Sequence, residues 1–104
     1  MNRCIAVTKE VLTNPVMVWT DEETLSFETA RSMAERKARE FCPDPMLLAW
    51  YDRRSARFSP PVECCSEEKP GWIVYAESRG GNITIDVNEE TFVFIYRCFS
   101  EPEQ

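Results

Sequence analysis

A chain of 104 residues is sized for one domain, and its net charge of -6 disfavours the phosphate contacts on which general nucleic-acid binding depends. Hydrophobic residues make up 43% of it, enough for a packed core and too many for a disordered chain. No apolar run approaches the roughly 20 residues of a membrane-spanning helix, and histidine, the commonest general base and nitrogen metal ligand, is absent.

The opening residues, Met1 to Lys9, hold too short an apolar stretch for a signal peptide, so a single cytoplasmic domain spanning 1–104 is expected. Two extended pieces follow, Cys4 to Val7 and Val16 to Trp19, separated by the turn-like Leu12 to Pro15. Acids at Asp21, Glu22 and Glu23 precede Ser26, an N-cap residue for a helix over 26–41. Phe27, Ala30, Ala34, Ala38 and Phe41 recur at three or four residues and make its buried stripe. On its outer side Glu35 with Arg39 and Arg36 with Glu40 stand four apart. Pro43 and Pro45 end it.

Met46 to Tyr51 reads as a strand apolar on both faces, and Asp52 to Arg57 as a hairpin tip returning through Phe58. Pro60 and Pro61 close the return strand, and Glu63 to Pro70 is loop-like. A three-stranded meander over 71–99 completes the chain: Trp72 to Ala76, Asn82 to Val87 and Phe92 to Tyr96, joined by tight turns at Gly80-Gly81 and Asn88. The middle strand alternates, with Ile83, Ile85 and Val87 on one face and Thr84 and Asp86 on a wet one. The expected fold is α+β, an antiparallel sheet of five or six strands with one long helix on one face, in the order β-β-α-β-β-β-β-β. One helix cannot cover such a sheet, so a homodimer formed through its second face is expected.

Charge is unevenly spread. Between Arg31 and Arg57 seven basic residues face four acidic ones, a local +3, while the other five basic and fourteen acidic residues leave -9. Arg53, Arg54 and Arg57 at the hairpin tip, beside Trp50, combine guanidinium groups with an aromatic and are the foremost binding candidates. The acidic remainder directs that tip to a small anion or an acidic partner protein and away from nucleic acid.

Five cysteines, an odd number, point to free thiols over a disulfide framework. Cys64 and Cys65 are adjacent in a loop, closer than zinc ligands are normally spaced, and Glu63, Glu67 and Glu68 oppose a thiolate there. Cys4, Cys42 and Cys98 read as small buried hydrophobes. The contiguous acids Asp21 to Glu23 lack the spacing of a calcium loop, and Gly80-Gly81 is explained by its turn before any anion nest. No metal site and no cofactor is expected. The functional expectation is a non-enzymatic interaction module that dimerises through its sheet and presents the arginine tip. The alternative is a small thiol-dependent enzyme or metal-binding protein using Cys64 and Cys65.

Overall fold

Seven elements follow one another in a computed structural model that describes residues 15–21, 25–59 and 71–98. They are β1 (Val16–Val18), α1 (Phe27–Ala38), β2 (Pro45–Asp52), β3 (Arg57–Ser59), α2 (Gly71–Ser78), β4 (Ile83–Val87) and β5 (Phe92–Cys98). The strands form one mixed sheet in the order β1-β4-β5-β2-β3. The pairs β4/β5, β5/β2 and β2/β3 are antiparallel; β1 runs parallel to β4, with Val16 opposite Ile85 and Val18 opposite Val87. The α+β class therefore holds, while the wholly antiparallel sheet and the single long helix do not. The expected strand at Cys4 to Val7 and the loop at Glu63 to Pro70 lie outside the described residues.

Helix α1 begins where the sequence places it. Ser26 adopts extended backbone and its Oγ accepts from Thr29 N at 3.1 Å, satisfying one of the first-turn donors. Ala30, Ala34 and Ala38 have no exposed surface and lay a flat face on the sheet, where they meet Ile85, Val87, Phe92 and Phe94. The helix ends at Ala38, three residues earlier than the stripe predicts. The chain then turns tightly, with Glu40 N donating to Lys37 O and Phe41 N to Ala38 O. Phe41 is consequently 57% exposed, and Glu40 pairs with Lys37 at 3.0 Å in place of Arg36. The expected Glu35–Arg39 pair forms at 2.8 Å.

The larger correction concerns residues 71–78. The run Trp72 to Ala76, expected as a strand for its aromatic and β-branched content, is the helix α2. Its buried residues Trp72, Ile73 and Ala76 fall at i, i+1 and i+4, the period of a helix face, and they pack on Ala49, Val93 and Ile95. Glycine ends this helix: Gly80 has φ +90, and a Cβ on Gly81 would come within 2.8 Å of Ile95 and 2.9 Å of the Ala76 carbonyl. Trp72 stacks on Tyr51 of β2, with ring centroids 5.5 Å apart.

Two helices thus cover two faces, α1 over β4, β5 and β2, and α2 over β2 and β5. The face assigned above to a second copy of the chain is occupied by α2, which removes the reason for a dimer formed there. Thr84 and Asp86, expected to be wet, are buried on an inner strand that has β1 on one side and β5 on the other. Strand β2 serves both layers through a bulge between Leu47 and Ala49; Leu47 packs into the α1 layer, and Leu48 and Ala49 both lie in the α2 layer.

Cys42 and Cys98 are joined in a disulfide, tying the loop after α1 to the end of β5. Free thiols at these two positions are therefore corrected. Both sit in or against the α1 core cluster, as expected of small hydrophobes; their pairing depends on a strand register that spacing does not reveal. Cys4, Cys64 and Cys65 lie outside the described residues. The bridge spans 56 residues, and reducing it is expected to lower stability by roughly 4 kcal/mol, read as a shift in the urea midpoint between oxidised and reduced protein. Trp72→Ala should cost about 3 to 5 kcal/mol in the same assay, since it empties the centre of the α2 layer; a neutral result would mean that α2 does not cover this face.

Candidate functional site

The arginine tip forms as a hairpin. Residues 53–56 turn between β2 and β3, with Ala56 in the left-handed region at φ 59. The turn is held by Asp52, whose Oδ1 accepts from Arg54 N at 3.0 Å and Ser55 N at 3.3 Å, an Asx turn. The three arginines then part company. Arg53 donates from Nε to the Glu90 carbonyl at 3.0 Å and places Nη2 3.8 Å from Glu90 Oε1, bracing the β2–β3 tip against the β4–β5 tip. Arg54 donates from Nη1 to the Leu25 carbonyl at 2.6 Å and lies 5.5 Å over the ring of Phe92, closing the approach to α1. The Arg57 side chain is exposed and makes neither a hydrogen bond nor an ion pair with any described residue.

Arg57 instead lines a cleft of about 400 Å³ with Ser26, Phe27, Glu28, Trp50 and Asp52. Its position follows from the ladder. Asp52 stands opposite Arg57 and Trp50 opposite Ser59, so alternation puts Trp50, Asp52 and Arg57 on one face, the side on which α1 packs. The first turn of α1 arrives over the same strand and supplies the remaining wall, with Phe27 and Trp50 at 4.6 Å between ring centroids. An aromatic floor, one guanidinium, and the carboxylates of Asp52 and Glu28 are therefore gathered at one mouth.

Of the residues named from sequence, the cleft brings together Trp50 and Arg57 and leaves out Arg53 and Arg54, which serve as struts. Asp52 and the α1 residues Ser26, Phe27 and Glu28 went unforeseen as site residues. The only sequence signal for Asp52 was its place at the foot of the turn; that of the α1 residues was the N-cap itself, which says where a helix starts and not which strand it meets. Among the described residues no group of three or more cysteine and carboxylate side chains is arranged to hold a metal ion, and no helix is long and apolar enough to cross a membrane.

A family model described as a domain of unknown function, DUF5619, matches residues 13–96, most of the chain. The chain belongs to the DUF5619 family. It is 38% identical over 73 residues to an uncharacterized protein of Archaeoglobus fulgidus, a match that covers 70% of this chain and 77% of that one. The crystal structure of the Archaeoglobus fulgidus protein AF1514 superposes with a TM-score of 0.71 at 32% identity, over 86% of this chain and 99% of that chain. The family match takes in β1 through most of β5, and with them every residue of the cleft.

A second polar cluster lies at the β4–β5 tip. Asn88, Glu89 and Glu90 are all left-handed, at φ 51, 56 and 68, a run that L residues adopt only under tertiary constraint. The constraint is visible: Glu90 N donates to Asp86 Oδ1, Asn88 N donates to Val18 O at 2.8 Å, and the Asn88 side chain both accepts from Thr20 N and donates to Thr20 O. Burial, first, and the neighbouring Asp86 carboxylate, second, raise the pKa of Glu90, against the opposing pull of Arg53. A carboxyl whose pKa is raised on folding binds its proton more tightly in the native state. Its contribution to stability is present below the ordinary glutamate range and is lost as pH rises through the raised value. Urea midpoints measured across that window should show this loss for the wild-type protein, and Glu90→Gln, which keeps a neutral side chain throughout, should flatten it.

Proposed function

We propose that this domain is a non-enzymatic binding module that receives a small anion, or an acidic group of a partner, in the cleft of Arg57, Trp50 and Phe27. The observation that carries the reading is the state of Arg57. Arg53 and Arg54 are consumed in holding the turn, whereas the third guanidinium of the tip stands exposed at a concave surface with an aromatic floor. A fork of donors above an aromatic face suits a planar carboxylate on an apolar body, the guanidinium taking the oxygens and the rings taking the body.

The volume, about 400 Å³, fits a small ligand or a single side chain. A long polyanion finds less support, because the cleft also carries two acids and the chain as a whole is at -6. Nor is a second copy of the chain needed over β2 and β5, since α2 already lies on that face.

Titration with 3-phenylpropionate, an anion on an aromatic body, is expected to shift the Trp50 indole N–H and the Arg57 side-chain signals in two-dimensional NMR spectra. Arg57→Ala should weaken that binding at least about tenfold, the scale of one lost charge-assisted contact, with the fold unchanged. Equal binding by wild type and Arg57→Ala would remove the reading.

A further inference from the structure

Asp52 and Arg57 are directly opposed across the β2–β3 ladder, on one face, where side-chain origins are about 5 Å apart. Opposite charges so placed ordinarily close on each other. Here they do not: no ion pair and no side-chain hydrogen bond joins them, and both line the cleft. Asp52 is 9% exposed, and its Oδ1 is taken by the turn, while Oδ2 accepts nothing from the described residues. One carboxylate oxygen of a side chain more than nine-tenths buried is thus left over at the wall of a cleft whose other wall carries an uncommitted guanidinium.

We infer that the ligand of this cleft is a small zwitterion on a planar apolar body, of the kind an aromatic α-amino acid presents. Its anionic group is held by Arg57, its ammonium donates to Asp52 Oδ2, and its ring rests against Trp50 and Phe27. This rests on the reading of the cleft as an anion site and adds the second charge. The electrostatics require that addition. Among the described residues the charged side chains at the mouth are Arg57, Asp52 and Glu28, one base against two acids. A simple anion gains the guanidinium and meets both carboxylates; a simple cation gains the carboxylates and meets the guanidinium. A ligand carrying both signs answers the guanidinium and the Asp52 carboxylate together, and it completes the cross-strand pair that the protein leaves open.

The test compares three probes of one size by calorimetry and by the Trp50 indole signal: phenylalanine, 3-phenylpropionate, which lacks the ammonium, and phenethylamine, which lacks the carboxylate. Phenylalanine should bind at least about tenfold more tightly than either half, the worth of one charge-assisted hydrogen bond. Asp52→Asn keeps an amide oxygen for the turn and should bring phenylalanine down to the level of 3-phenylpropionate while leaving 3-phenylpropionate itself unchanged or improved. Arg57→Ala, on an exposed strand position, should abolish the advantage from the other side. If 3-phenylpropionate binds as tightly as phenylalanine, the zwitterion is wrong and the anion site survives. If phenethylamine matches phenylalanine, or if none of the three binds, both readings fall.

Discussion

Strand β5 has no wet face, and most of the architecture follows from covering it. Phe92, Phe94 and Tyr96 point to one side and Val93 and Ile95 to the other, none more than 3% exposed. A strand of this kind needs an apolar layer above and below, and the chain supplies two helices of different character. On one side the alanine stripe of α1 allows close approach, so that large sheet residues fill the space between. On the other, α2 brings the bulk itself in Trp72 and Ile73, against the smaller Ala49 and Val93. Small residues of one layer receive large ones of the other in both halves, and ring contacts, Phe27 with Trp50 and Trp72 with Tyr51, join the layers beside them.

The same demand shapes the edge where the cleft lies. Strand β3 is only three residues long, and the first-turn residues Phe27 and Glu28 of α1 line the gap beside it with Trp50, Asp52 and Arg57. Around that gap the hairpin tip is braced by Arg53 to the neighbouring tip and by Arg54 to the backbone before α1. A binding surface whose supports are already in place loses little freedom when a ligand arrives, and affinity is determined by the few groups left uncommitted.

How much of this could be read from the residues alone depends on which force decided each element. Helix α1, strand β2, the Asp52 to Arg57 hairpin and strands β4 and β5 were legible, since each has its own period, cap or turn chemistry. Residues 72–76 were not. Trp, Ile, Val and Tyr favour a strand locally, and a five-residue apolar run carries too few periods to separate 2.0 from 3.6; burial on the sheet overrode the local preference. That single misassignment produced the uncovered face from which a dimer is argued. The parallel pairing of β1, the Cys42–Cys98 bridge and the meeting of Ser26 to Glu28 with Trp50 all join residues far apart in the chain, and no local pattern encodes such meetings. Within the candidate site, Trp50 and Arg57 were visible by residue type, whereas the difference between an arginine engaged as a strut and one left exposed at the cleft appears only once their neighbours are known.

The strand order carries a consequence for how the chain comes to be folded. β5, which follows every other described strand in the sequence, sits in the middle of the sheet, between β4 and β2. On a growing chain β2 and β3 can close their hairpin early, but β2 has no second neighbour until residues 92–98 have been made. β1 waits still longer in relative terms, since its partner Ile85 lies 69 positions beyond Val16 (85 minus 16). Cys98 is in that late strand, so the bridge to Cys42 cannot form before it either. The domain therefore assembles nearly all at once, after synthesis has passed its central strand, and until then the apolar edges of β2 and β4 stand open to other chains.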